Sequence, residues 1–223
     1  MQIPSPGRFQ NLIFDLGGVL LNIDYQRPIA AFQKLTSQPE PLAFTQQQQS
    51  TLFDALETGQ LSSADFRSAL RRTYAIADAI PDEELDTAWN AILLDLPESR
   101  VRLLRALTEA GYRLFLLSNT NEIHRTAFDR IIRQQHPDLP GGLLDLFERV
   151  YYSHELGLRK PDPAIFHRVV TENGLDPDCT LFIDDSTQHV AAARTVGLHA
   201  LWLEPGQTIT DDVPLLDALR QNG

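Results

Sequence analysis

The sequence predicts an α/β fold: a doubly wound parallel sheet, a Rossmann-like core, with an inserted all-helical unit after strand one. Three features of the 223 residues carry that expectation. From Pro97 onward, short apolar runs of strand length alternate with amphipathic helical stretches, the pattern of a parallel sheet covered on both faces. A lone apolar run near the N-terminus is separated from that alternation by a long stretch of helical periodicity alone. Polar residues gather immediately after the apolar runs, where sheets of this kind bind their ligands.

Asn11 to Phe14 reads as a buried strand that ends at Asp15 and a turn at Gly17 and Gly18. From about Asp24 to Ile92, apolar residues recur at helical spacing, as at Leu52, Leu56, Phe66 and Leu70. Thr58-Gly59 marks a turn within this stretch, and Ser62-Ser63 marks a helix start. The glutamines at 46–49 read as a solvated helix face. A helix is expected at about 98–110, ending at Gly111, followed by a strand from Arg113 to Leu117. A helix near 122–134 and a Pro/Gly-rich loop at 137–142 come next. Then follow a strand at 149–153, a helix starting near Pro161 and a strand from Thr180 to Ile183. A helix at 187–196, a strand from Ala200 to Leu203 and a last helix over 211–221 complete the chain. The expected organisation is a Rossmann-like core of residues 1–21 and 93–223 interrupted by a helical insertion at 22–92.

Composition narrows the function classes. The chain is 43% hydrophobic and 22% charged, which suits a folded domain able to bury a real core. No apolar run exceeds four residues, so no transmembrane helix is expected. The N-terminus has no basic-plus-apolar signal pattern, and the single cysteine, Cys179, excludes an intramolecular disulfide. A cytoplasmic protein is the expectation. Cys179 precedes an apolar strand and is expected to be a small buried hydrophobe, not a reactive thiol. Lys and Arg total 19 against 30 Asp and Glu, a net charge of −11, and no basic patch invites nucleic acid. A site for an anionic substrate must therefore supply its own positive charge locally.

The residues after each strand meet that requirement. Asp15 follows the first; Ser118, Asn119, Thr120 and Asn121 follow the second; Arg159, Lys160 and Pro161 follow the third; Asp184, Asp185 and Ser186 follow the fourth. Three carboxylates, a hydroxyl and an ammonium converge on one sheet edge, a coherent constellation for phosphoryl transfer.

Four segments, Phe14-Asp15-Leu16-Gly17-Gly18-Val19-Leu20, Leu117-Ser118-Asn119-Thr120, Lys160-Pro161 and Phe182-Ile183-Asp184-Asp185, resemble the four ordered motifs of the haloacid dehalogenase-like hydrolases. The resemblance spans residues 10 to about 203, and the helical stretch sits where that family places its small cap. It implies that Asp15 is a nucleophile forming an aspartyl-phosphate that water hydrolyses. It implies Mg²⁺ held by Asp15, Asp185 and the Gly17 carbonyl, with Asp184 either a further ligand or a group orienting Lys160. Ser118 would bind a phosphoryl oxygen with the Asn119 N–H, and Lys160 would neutralise phosphoryl and nucleophile charge. The substrate implied is a small phosphorylated metabolite. The Asp-Leu-Gly motif, the run Leu117 to Asn121 and Gly157-Leu158-Arg159-Lys160-Pro161 resemble a branch of sugar-phosphate phosphatases, including ones acting on glucose 1-phosphate.

Two positions depart from the family pattern. Gly17 stands where phosphatases of the family carry a second aspartate for general acid–base work, and His189 stands where Asp or Asn is common. A replacement acid could come from His154, His124, Asp24 or the substrate. Two alternatives follow: a metal-independent 2-haloacid dehalogenase, or a non-catalytic phosphate-binding module. Within the cap, Tyr25, Arg27, Phe53, Glu57 and Trp89 could point inward, with no specificity residue assigned. The oligomeric state is not legible.

Overall fold

The computed structural model describes residues 3–36, 51–210 and 214–220. Its sheet has five parallel strands: β1 (Asn11–Phe14), β2 (Arg113–Ser118), β3 (Arg149–Tyr152), β4 (Thr180–Asp184) and β5 (His199–Trp202), in the order β3-β2-β1-β4-β5. β1 is central, with Phe14 opposite Leu116 on one side and Ile183 on the other. The chain builds outward from β1 through β2 to β3, then returns to the opposite side for β4 and β5. The strand order therefore reverses beside β1, and the loops after β1 and β4 flank a crevice.

The strands form where the apolar runs are because both faces are covered. Leu12, Phe14, Leu116 and Ile183 enter one core cluster; Ile13, Phe115, Leu117 and Phe182 enter the other. This is the two-residue alternation of a strand buried on both sides. Between β1 and the second strand lie α1 (Gln26–Gln33), α2 (Thr51–Glu57), α3 (Ser63–Tyr74), α4 (Asp82–Asn90) and α5 (Glu98–Glu109). α5 and α6 (Glu122–Gln135) cover one face through Val101, Leu104, Leu107, Phe128 and Ile132. α7 (Ser153–Leu156) is a single turn. α8 (Pro163–Asn173) and α9 (Thr187–Thr195) cover the other face through Ile165, Phe166, Val169 and Ala193, and α10 (Pro214–Arg220) closes the described chain.

α1 to α4 bury a separate cluster in which Phe32, Phe53, Phe66, Leu70, Leu85 and Trp89 are nearly inaccessible. Trp89 stacks on Phe53 with ring centroids 5.1 Å apart at 8°. Ser62 caps α3 by accepting from the Asp65 N–H at 3.1 Å, the role its position predicts.

Boundaries differ from expectation where side chains redirect the backbone. The strand expected at 149–153 stops at Tyr152 because Ser153 turns to the loop after β2. Its hydroxyl accepts from the Thr120 N–H at 2.9 Å and donates to the Thr120 carbonyl at 3.0 Å. The helix expected near Pro161 begins at Pro163, with Asp162 as its cap accepting from the Ala164 N–H. A 3₁₀ turn, Gly142–Asp145, follows the loop expected at 137–142. Cys179 is half-exposed, not buried: it ends a 3₁₀ turn before β4 with its thiol 3.6 Å from Asp176, and loss of solvation and the nearby carboxylate push its pKa up. The glutamines at 46–49, and both ends of the helix expected at 211–221, lie outside the described residues. Among the described residues, no helix is long and apolar enough to cross a membrane.

Candidate active site

The sheet topology brings the strand-end residues together at the β1/β4 crevice. Lys160 is fully buried, and its Nζ lies 2.7 Å from Asp15 Oδ1 and 2.7 Å from Asp184 Oδ2. Asp184 is held on its other oxygen by the Ser186 N–H at 2.7 Å, and His189 donates Nδ1–H to it at 3.0 Å. Both Asp184 oxygens are thus committed within the protein. The Asp15, Asp184 and Asp185 carboxylates each place an oxygen within 4.8 Å of the others.

Burial works against the Lys160 ammonium, but Asp15 and Asp184 outweigh it and hold its pKa above the usual lysine value. Burial pushes the Asp15 carboxyl up, and the neighbouring Asp184 charge adds to that against the pull of Lys160. Burial acts on Asp184 too, yet Lys160 and the His189 bond prevail and hold it below the usual carboxylate range. Three carboxylates facing one ammonium leave an excess of negative charge and hard oxygen donors at one point. That donor set fits a divalent cation such as Mg²⁺.

Gly18 lies against the Asp185 carboxylate. It has φ +77°, and a Cβ there would lie 2.1 Å from Asp185 Oδ2. The positive φ favours glycine, and any side chain there would have to displace the Asp185 carboxylate. Trp202, opposite Asp184 in the β4–β5 register, donates its indole N–H to the Asp185 carbonyl at 3.0 Å. Sequence reasoning missed Trp202, since an aromatic at a strand end announces only a strand.

A cavity of about 90 Å³ opens on this cluster. Its walls include Asp15, Gly17, Ser118, Asn119 and His189 from the strand ends, and Tyr25 and Glu57 from the helical stretch. Ser118 is buried in that wall. The Asn119 side chain is spent elsewhere: its amide donates to the Lys160 carbonyl at 2.8 Å and accepts from the Lys160 N–H at 2.9 Å. It clamps the backbone of Lys160, so its main chain is what can meet a ligand. A Cβ on Gly17 would lie 3.2 Å from Ile23 Cδ1, so the space an aspartate would need is crowded by an apolar side chain.

Of the five residues considered for the inner face, Tyr25 and Glu57 reach the cavity. Burial, with Asp185, Asp15 and Glu57 nearby, pushes the Tyr25 hydroxyl far up. Phe53 and Trp89 belong to the helical core, and Arg27 is exposed beside Asp24. Of the candidate replacement acids, His124 lines the cavity, but burial lowers its pKa to about 4. His154 lies against Tyr152 and 3.5 Å from Glu122, and Asp24 accepts from the Gln26 N–H at the start of α1; neither lines the cavity.

Residues 9–197 match a family model described as haloacid dehalogenase-like hydrolase. The chain is 27% identical over 197 residues, 88% of it and 93% of the relative, to a D-ribitol-5-phosphate phosphatase of Bacteroides thetaiotaomicron. It is 29% identical over 118 residues, 52% of it and 45% of the relative, to a glyceraldehyde 3-phosphate phosphatase of Pyrococcus abyssi. A crystal structure of a HAD family enzyme from Bacteroides thetaiotaomicron, a mutant in complex with magnesium and inorganic phosphate, superimposes with a TM-score of 0.81 at 35% identity, covering 89% of this chain and 96% of that one.

Proposed function

Because the chain belongs to the haloacid dehalogenase-like hydrolases, we propose that it is a Mg²⁺-dependent phosphomonoester hydrolase acting through Asp15 on a small phosphorylated metabolite, a sugar or sugar-alcohol phosphate in preference. The observation that carries this reading is the convergence of Asp15, Lys160, Asp184 and Asp185 beside the Ser118 wall of one cavity.

Asp15 attacks phosphorus, the bond to the leaving oxygen breaks, and water then hydrolyses the aspartyl-phosphate. Lys160 holds one Asp15 oxygen and, with the Ser118 hydroxyl and the Asn119 N–H, stabilises charge on the transferred group. Asp184 fixes the position of Lys160, and His189 and Ser186 fix Asp184. Asp15, Asp185 and the Gly17 carbonyl are the residues that would hold Mg²⁺. Bound there, the ion would neutralise the carboxylate excess and supply electrostatic stabilisation to the transferred phosphoryl group. Residues 22–92 act as the cap that excludes water during the reaction. Nothing at Gly17 protonates the leaving oxygen. The leaving oxygen therefore takes its proton from water or from a hydroxyl of the substrate, and among phosphate esters those with less basic leaving groups, such as the anomeric oxygen of a sugar 1-phosphate, react faster.

The test is phosphate release from a panel of phosphometabolites, with Mg²⁺ and with EDTA, for the wild type and Asp15→Asn. Release should require Mg²⁺ and fall by roughly 10³-fold or more in the variant. Equal release in EDTA, or an active Asp15→Asn, overturns the reading. Halide release from 2-chloropropionate in its place would identify a dehalogenase.

A further inference from the structure

Directly before Lys160, Arg159 reaches across to α2. Its guanidinium donates to Glu57 Oε2 at 3.0 Å and also to Asp54. Asp54 and Glu57 are three residues apart on α2 and so share one face. Arg159 and Glu57 line the cavity, while Asp54 stands behind them, with a side chain 44% exposed against 9% for Glu57. One cation of the cavity wall is thus bound by two carboxylates, both from α2. Besides Glu57 and Arg159, the polar residues of the cavity wall are Asp15, Tyr25, Ser118, Asn119, Thr120, His124 and His189; His189 is engaged by Asp184, and burial lowers the His124 pKa to about 4, so that ring is neutral near pH 7.

We propose that the Asp54–Glu57–Arg159 clasp sets leaving-group specificity, admitting uncharged hydroxylated groups and rejecting those with a second anionic group. This deepens the phosphatase reading and rests on it. Glu57 accepts a hydrogen bond from a substrate hydroxyl. A second carboxylate or phosphate on the substrate meets a guanidinium already engaged by two carboxylates. It would lose hydration on entering the cavity without gaining a free counter-charge from Arg159.

The discriminating substrates are glycerol 3-phosphate and 3-phosphoglycerate, which differ by a hydroxymethyl group against a carboxylate on the same carbon frame. The wild type should favour the former in kcat/KM by about 10-fold or more. Asp54→Asn and Glu57→Gln each free part of the Arg159 charge and should narrow that ratio by about 10-fold, chiefly through KM for 3-phosphoglycerate. Asp54 is half-exposed, so its variant keeps the test usable if Glu57→Gln fails to fold. Asp15-dependent release with no preference in the wild type, or with the same ratio in both variants, overturns the proposal alone. No Asp15-dependent release from either substrate or from the wider panel removes the phosphatase reading and the proposal with it.

Discussion

His124 shows how one buried side chain links packing to pH. Asn121 presents its amide to Nδ1 at 3.2 Å, so the ring proton sits on Nε2, which faces the Trp89 carbonyl at 3.3 Å, while the ring stacks on Trp89. Burial lowers its pKa from 6.5 to about 4, against the upward pull of that carbonyl. Between about pH 6.5 and 4 the unfolded chain binds a proton that the folded protein refuses, so stability rises with pH across this window. Above it the penalty is absent, and below it the penalty is complete, on the order of 3 kcal/mol. Denaturant unfolding at pH 7 and pH 4.5 should show His124→Gln losing less stability on acidification than the wild type; parallel losses would count against this account. At this scale the sequence marked Asp15, Ser118, Lys160, Asp184 and Asp185, because each follows a strand and chemistry restricts what belongs there. It did not mark the Asn119 clamp, the Trp202 bond or the exposure of Cys179. Those depend on partners or neighbours that only the fold supplies, such as the Lys160 backbone 41 residues from Asn119.

Among the elements, α2 and α7 meet at a seam that the sequence punctuates without explaining. Thr58-Gly59 reads as a turn. The structure adds that Gly59 has φ +67° and that a Cβ there would lie 2.3 Å from the His154 carbonyl. Gly174, at the end of α8, has φ +58° with nothing near its would-be Cβ. Gly174→Ala therefore reports backbone strain alone, about 1–2 kcal/mol. Gly59→Ala carries that strain plus a clash with backbone at the seam. It should cost clearly more in equilibrium unfolding, by roughly another 1–2 kcal/mol. Because the seam positions α2, it should also raise KM for any substrate that Glu57 contacts. Equal costs for the two variants would show that the seam yields freely. The strands were legible because a continuous apolar run bounded by turns has few other readings in a parallel sheet. α7 was not, because the bonds that end β3 run from Ser153 to Thr120, 33 residues away.

For the molecule as a whole, charge and topology act together. A chain of net charge −11 concentrates three carboxylates at one crevice and seals a single ammonium among them. That arrangement exists only when β1 and β4 are adjacent and the loop carrying Lys160 is docked, so the folded state alone presents it. Lys160→Ala would leave Asp15 and Asp184 buried without their counter-charge, which should cost about 3–5 kcal/mol. It should also raise the Asp15 and Asp184 pKa values, since Lys160 lowers both. If these carboxylates hold Mg²⁺ as proposed, the ion binds the folded protein and not the unfolded chain, and saturating Mg²⁺ stabilises by mass action. The variant, with its carboxylates lacking their other cation, should gain more from Mg²⁺ than the wild type. Thermal unfolding of both proteins, with Mg²⁺ and with EDTA, measures this directly. A larger Mg²⁺-dependent rise in Tm for Lys160→Ala supports one shared electrostatic site; a rise in neither protein would separate the carboxylate cluster from metal binding and leave Lys160 as its sole counter-ion.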